Sequence, residues 1–298
     1  MSTLYSQAES NVRKTWFLIT SFLLLVIFIG WIFSNAFEMP SILYFAVGFS
    51  VLTSVSSYWF SDKIILTTTN AKLIEKKDNP EIYRLVENLC ISSGMPMPKI
   101  YILEDEYQPN AFATGRDEKH SAIALTKGLL TRLERVEIEG VIAHELSHIK
   151  NKDILLQTVV VVLAGVITIL SDILLRSGFR KRDNDNNNYI FIILGILAAI
   201  LAPLAASIIK AALSRQREFL ADASGALLTR YPEGLASALD KIASDETPLL
   251  KANSSNAHLF IASPFREDED GKISWVARLF NTHPPVEERI KALMGMKI

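Results

Sequence analysis

Hydrophobic and polar positions alternate on two scales along the chain. Over most of its length they follow the short periods of ordinary helices and strands. Four stretches are instead predominantly apolar: Trp16 to Phe33, Ile42 to Phe60, Ile154 to Leu175 and Tyr189 to Ile209. Each is close to the ~20 residues that an α-helix needs to cross ~30 Å of hydrocarbon. Aromatic residues near several ends (Trp16, Trp31, Tyr58, Trp59, Tyr189) suit the headgroup level of a bilayer. The first stretch exceeds the roughly 7–15 apolar residues of a cleaved signal, and a second follows almost at once, so it reads as a retained anchor.

The remaining segments mix helix and strand. Asn79 and Pro80 read as an N-cap followed by proline at the first helical position, opening a helix with Ile82, Leu85, Val86 and Leu89 inward. The run from Gly94 to Pro98 ends it. Lys99 to Leu103 and Ala122 to Leu125 read as short apolar strands, and Asn110 to Gly115 as a further strand ending in a turn. A long helix is expected from about Leu133 to Lys152, with Val136, Val141, Leu146 and Ile149 at roughly helical spacing. Lys210 to Thr229, Gly234 to Ala243 and Pro284 to Met294 read as three more helices, whereas Asp245 to Lys272 is charged and without period. The pattern predicts a mainly helical α+β fold with a small sheet, attached to transmembrane helices.

Composition narrows the class. With 298 residues, 49% of them hydrophobic and 21% charged, and a mean hydropathy of +0.23, the chain is neither disordered nor ordinary in its solubility. The 31 Lys and Arg against 32 Asp and Glu give no basis for nucleic-acid binding. Cys90 is the only cysteine, so no internal disulfide forms, and its place after Ile82, Val86 and Leu89 makes it a core residue.

Lys and Arg near the spans set orientation. Arg13 and Lys14 precede the first span, Ser34 to Ser41 has no basic residue, and Lys63, Lys72, Lys76 and Lys77 follow the second. Both ends of this hairpin are therefore expected in the cytoplasm. For the second hairpin, Arg176, Arg180, Lys181 and Arg182 in the loop nearly balance Lys150, Lys152, Lys210, Arg215 and Arg217 outside it, and the rule does not place it. The loop run Asp183 to Asn188 lacks the glycine and glutamate of a calcium loop, holding Asn188 and Leu194 there, and reads as a solvated turn. The expected division is a tail and hairpin over 1–62, a cytoplasmic catalytic domain from 63–153 and 211–298, and a second hydrophobic hairpin over 154–210.

The chemistry lies in the long helix. His144 and His148 are i and i+4, on one face and one turn apart, so both imidazoles can reach one metal ion. Glu145 beside the first can hold a water and take its proton. Catalytic zinc sites typically have three protein ligands. A third histidine at 154 after glycine at 151 is ruled out by Ile154 and Asn151. Glu218 is the best third ligand, with Asp222 one turn on and able to reach the far nitrogen of a ligand histidine. His148 and Glu218 must then lie on one side of the bilayer, so the chain between them crosses it an even number of times or not at all.

Two N-terminal spans, the His144–Glu145–His148 cluster, a hydrophobic hairpin, Glu218 with Asp222, and the late run Asn281 to Pro285 resemble the HtpX-type membrane metalloproteases, a heat-shock protease family related to the CAAX prenyl endopeptidases. The resemblance covers essentially the whole chain. It implies a zincin-type fold, one Zn2+ per chain, and proteolysis of membrane or misfolded proteins at the cytoplasmic face of a bacterial inner membrane, as part of stress-linked quality control. It also implies that His283 is the second donor to the oxyanion. The expected partners are the bilayer and protein or peptide substrates. Asn110, Ala111 and Phe112 are a candidate edge for binding extended substrate, although an ordinary buried strand explains them equally well. His120 and His258 read as structural. Two other functions fit parts of the sequence: a narrow processing protease for lipid-modified or signal-derived peptides, and a non-catalytic zinc-binding membrane scaffold, which leaves Glu145 without a task.

Overall fold

In the computed structural model, residues 4–36, 38–178, 215–248, 259–261 and 284–296 are described. Helices α1 (Leu4–Ala36) and α2 (Pro40–Trp59) form the expected hairpin. Within it, Glu9–Asn35 and Pro40–Trp59 are long and apolar enough to cross a membrane. Their outward side chains are large and apolar, among them Phe17, Leu24, Phe28, Tyr44, Phe45 and Leu52. The buried face of α2 is small or polar instead: Ala46, Ser50, Thr53, Ser54 and Ser57. Small residues inside and large apolar ones outside are the pattern of helices packed in lipid. The two helices approach so closely that a Cβ on Gly30 would sit 2.2 Å from Ala46 Cβ. Trp16 and Tyr58 stack at 5.4 Å near one end of the pair.

A short helix α3 (Ser61–Thr68) leads from the hairpin to a four-stranded sheet, which packs with helices α4 (Pro80–Ser93) and α5 (Lys127–Arg132). The strands are β1 (Lys72–Leu73), β2 (Lys99–Leu103), β3 (Ala111–Gly115) and β4 (Ser121–Thr126), in the order β1-β2-β4-β3. β2 and β4 run parallel with Ile100 opposite Ile123, while β3 is antiparallel to β4 with Phe112 opposite Ala124. β3 is thus an edge of the sheet.

Helix starts follow local chemistry. Asn79 Oδ1 accepts from Ile82 N at 3.2 Å to open α4, and Thr126 Oγ1 accepts from Leu129 N at 3.1 Å to open α5. The long helix α6 (Arg135–Lys150) begins where Glu137 reaches back to accept from Glu134 N at 2.7 Å. After a two-residue turn at Asn151 and Lys152 comes α7 (Asp153–Gly178), whose Leu155, Leu156, Val159, Val160 and Leu163 pack on Ile19, Phe22 and Val26 of α1. The remaining α-helices among the described residues are α8 (Arg215–Thr229), α9 (Pro232–Ser244) and α10 (Val286–Met294).

α6 lies at the centre of the main core, which joins α4, β2 and β4 to α8 and α9. Cys90 is buried there, and burial pushes its thiol up to about 11. Val136 departs from its expected inward position: it is exposed at the start of α6, where Ile138 and Ile142 face the core instead. The fourth apolar stretch, the loop Asp183 to Asn188 and most of Asp245 to Lys272 lie outside the described residues.

Glu137 also ties α6 to α9. Its buried carboxylate accepts from Ser237 Oγ at 2.6 Å and from Lys241 Nζ at 2.8 Å. Burial pushes the carboxyl up, but Lys241, Ser237 and the Glu134 N–H outweigh it and hold it below the ordinary value of 4.5. Glu137→Ala should therefore cost about 1–3 kcal/mol at neutral pH. A group with a depressed folded pKa stabilises above its unfolded pKa and loses that contribution as pH falls through the folded value. The gap between wild type and variant, read from thermal unfolding followed by circular dichroism in detergent, should be constant near neutrality and shrink on acidification below that ordinary value.

Candidate metal centre

From Val141 to Ile149 every residue of α6 is buried, so the two histidines project into protein. Their Nε2 atoms are 3.1 Å apart. Glu218 arrives from α8, with Oε1 3.7 Å from His148 Nε2 and Oε2 3.9 Å from His144 Nε2. The three potential ligand atoms all lie within 4.8 Å of one another. α8 comes this close because the face it turns to α6 is small. Ala221 and Ala226 are fully buried, and a Cβ on Gly225 would stand 2.9 Å from His144 N.

Each imidazole has a carboxylate at its other nitrogen. His148 Nδ1 is 3.0 Å from Asp153 Oδ2. His144 Nδ1 is 2.9 Å from Asp222 Oδ1, close in distance but outside the alignment of a straight hydrogen bond. Both carboxylates favour a proton on Nδ1, which leaves the Nε2 lone pairs for a metal. Asp222 is itself clamped by Arg289 of α10, whose Nε donates to Oδ2 at 2.8 Å and Nη2 to Oδ1 at 2.6 Å. Nη1 of the same guanidinium lies 3.8 Å from Glu218 Oε2. Burial pushes the Asp222 carboxyl up, yet Arg289 and His144 hold it at about 2.

The charges around the site do not balance. Glu145, Asp153, Glu218 and Asp222 are buried carboxylates, against the buried guanidiniums of Arg217 and Arg289. Burial disfavours a proton on His148, but Asp153, Glu218 and Glu145 together raise it to about 9. A dication at the facing Nε2 atoms would take the place of that proton and offset the negative excess. Two imidazoles, a carboxylate and correctly oriented tautomers therefore fit a divalent metal.

Glu145 is buried beside the cluster, with the Ala113 N–H of β3 favouring its ionised form; burial lifts its carboxyl to about 7, with His148 opposing and Glu218 adding. The structure thus brings together His144, His148, Glu218, Glu145 and Asp222. Asn110, Ala111 and Phe112 lie at the sheet edge but are buried. The Ala111 carbonyl accepts from Ile261 N at 3.1 Å, and Phe112 packs edge-on against Phe260 at 5.2 Å. His120 pairs at the surface with Asp117 at 2.7 Å. His283 and His258 lie outside the described residues. Sequence reasoning missed Asp153 and Arg289. The available signal for Arg289 was a charged residue on the inward stripe of a short helix, beside Val286, Ile290 and Leu293.

A histidine pair on a central helix, its adjacent glutamate and a carboxylate from the neighbouring helix make a candidate metal centre. The sequence profile of peptidase family M48 matches residues 76–297, and the chain belongs to that family. It is 45% identical over 305 residues to the protease HtpX homolog of Caldanaerobacter subterraneus subsp. tengcongensis, covering 99% of both chains. The protease HtpX homolog of Thermococcus kodakarensis is 44% identical over 271 residues, 89% of each chain. The crystal structure of S. mikatae Ste24p shares the fold at 18% identity and a TM-score of 0.50, over 97% of this chain and 67% of that one. With its two spanning-length helices, the chain is a membrane metalloprotease.

Gly225→Val should wedge α8 away from α6 and carry Glu218 out of reach of the histidines. The purified variant is expected to hold well under half the divalent metal of the wild type while keeping its helical circular dichroism. Wild-type metal content in that variant would show that the close approach is not needed.

Proposed function

We propose that this protein is a zinc endopeptidase integral to a bacterial inner membrane, with His144, His148 and Glu218 as ligands of one Zn2+ and Glu145 as the proton carrier. The observation that carries the reading is the convergence of three ligand atoms within 4.8 Å next to a buried glutamate. A zinc ion held there by His144, His148 and Glu218 would lower the pKa of a water and polarise a peptide carbonyl. Glu145 then accepts a proton at its carboxylate and returns it to the departing amine. Beside a dication its ionised, proton-accepting form is favoured. Asp222 orients the His144 ring. His283 is the proposed donor to the oxyanion. Support for it comes from its position just before Pro284 and Pro285, which lead into α10 and so to Arg289 at the Glu218 and Asp222 carboxylates.

Residues 63–153 and 211–298 form the proposed cytoplasmic catalytic domain, with hydrophobic hairpins at 1–62 and 154–210. The substrates are membrane or misfolded proteins, paired as extended chain along β3 at Asn110, Ala111 and Phe112. Main-chain pairing of that kind is indifferent to side-chain sequence, which suits clearance of damaged proteins of many sequences.

The test is a pair of variants assayed for zinc and for cleavage of an unfolded membrane protein in detergent. Glu145→Gln should keep zinc and lose about 10²–10⁴-fold in cleavage rate. Glu218→Ala should lose the zinc itself. An unchanged rate in the first would remove the proposed mechanism, and full zinc occupancy in the second would remove the ligand assignment.

A further inference from the structure

One buried network ties the metal centre to the first membrane helix. Asn11 lies near the start of α1, ahead of the belt residue Trp16, and is buried. Its Nδ2 donates to Asp153 Oδ1 at 2.7 Å, and the other oxygen of Asp153 is the one at His148 Nδ1. Asn11 Nδ2 also lies 3.4 Å from the carbonyl of Asn151, in the turn between α6 and α7. On its other side Asn11 Oδ1 accepts from Arg217 Nη1 at 3.2 Å, and Arg217 immediately precedes the ligand Glu218 on α8. The same guanidinium nitrogen is 3.5 Å from Asp153 Oδ1.

The amide is chemically suited to this position. It presents an N–H to a carboxylate and a carbonyl to a guanidinium, which no other side chain of its size does in fixed orientation. Aspartate there would set two carboxylates against each other. An apolar residue would leave Asp153 without its closest donor and Arg217, whose Nε and Nη2 have no partner among the described residues, with one contact fewer. Thr15, one turn along α1 and also buried, donates to the Asn11 carbonyl at 2.9 Å, so the amide sits on a well-packed stretch of helix.

We infer that Asn11 is a positioning residue for metal binding: α1 holds Asp153 from behind, Asp153 holds the His148 ring, and the membrane anchor is thereby a structural part of the metal site. The inference rests on the assignment of His148 as a ligand. Groups that orient ligand histidines typically change metal affinity about 10–100-fold when removed.

Three full-length proteins purified in detergent test it: wild type, Asn11→Leu, and Ile19→Ala, which weakens the packing of α1 on α7 without touching the network. Zinc dissociation constants are measured by competition with a chromophoric chelator, and the visible spectrum of the Co2+-loaded proteins reports ligand geometry. The expected result is at least 10-fold weaker zinc binding and an altered Co2+ spectrum in Asn11→Leu, with Ile19→Ala within a factor of two or so of wild type. Equal loss in both variants, or none in Asn11→Leu, overturns the inference. Should Asn11→Leu not fold, Asn11→Ala is read by the same measurements. Failure of the ligand reading itself looks different, since wild type would then bind zinc no more tightly than His148→Ala.

Discussion

Two imidazole lone pairs 3.1 Å apart in a protein interior repel unless something positive lies between them. A proton can do this, and the raised His148 shows how strongly the surroundings attract one. The surplus of buried carboxylates favours a dication more strongly still. Holding this cluster together is the constraint that the rest of the fold meets. Gly225 and the alanines of α8 allow the approach, Arg289 clamps Asp222 while standing near Glu218, and the start of α7 delivers Asp153. Removing one partner from such a set leaves buried charge uncompensated, so metal binding and folding of this core are linked.

The same constraint joins the site to the membrane helices. α6 carries both histidines and stops at Lys150; after Asn151 and Lys152, the latter at a φ of 56°, α7 sets off among the apolar helices. Asp153 is the first residue of α7, where the helix dipole favours a carboxylate. The chain thus turns once and places at one junction His148, the Asp153 carboxylate at its Nδ1, and a helix packed on α1. α1 is joined to this junction by its polar end, where Asn11 hydrogen-bonds to Asp153 and Arg217.

Legibility in the sequence followed the range of each interaction. His144, Glu145 and His148 stand at one helical turn, and Glu218 and Asp222 repeat that spacing, so a periodic reading finds them. Asn79 with Pro80 marks the start of α4 by local capping chemistry, and β2, β3 and β4 are short apolar runs placed within a residue or so of where they fall. Asp153, Arg289 and Asn11 are different. Asn11 reaches Asp153 across 142 positions and Arg289 reaches Asp222 across 67, and neither leaves a local period. β1, at two residues, and the short helices α3 and α5 are fixed by neighbours more than by their own pattern. Val136 shows the converse error, an apolar residue in helical register that the first turn of α6 turns to solvent.

β3 is an edge by strand order, yet the outward backbone groups of Ala111 are already engaged: the carbonyl by Ile261 N–H and the N–H by Asn110 Oδ1. Phe260 fixes the cover by packing on Phe112, and the Ile261 carbonyl accepts from Arg289 Nη1 at 2.9 Å. A peptide adding to this edge at Ala111 must replace a hydrogen bond that the chain makes with itself, so its net gain there is the difference between two similar bonds. Displacing Ile261 would also free a donor of Arg289, the side chain that clamps Asp222 and stands near Glu218. Occupancy of the strand edge and the electrostatics of Asp222 and Glu218 are therefore connected through one arginine.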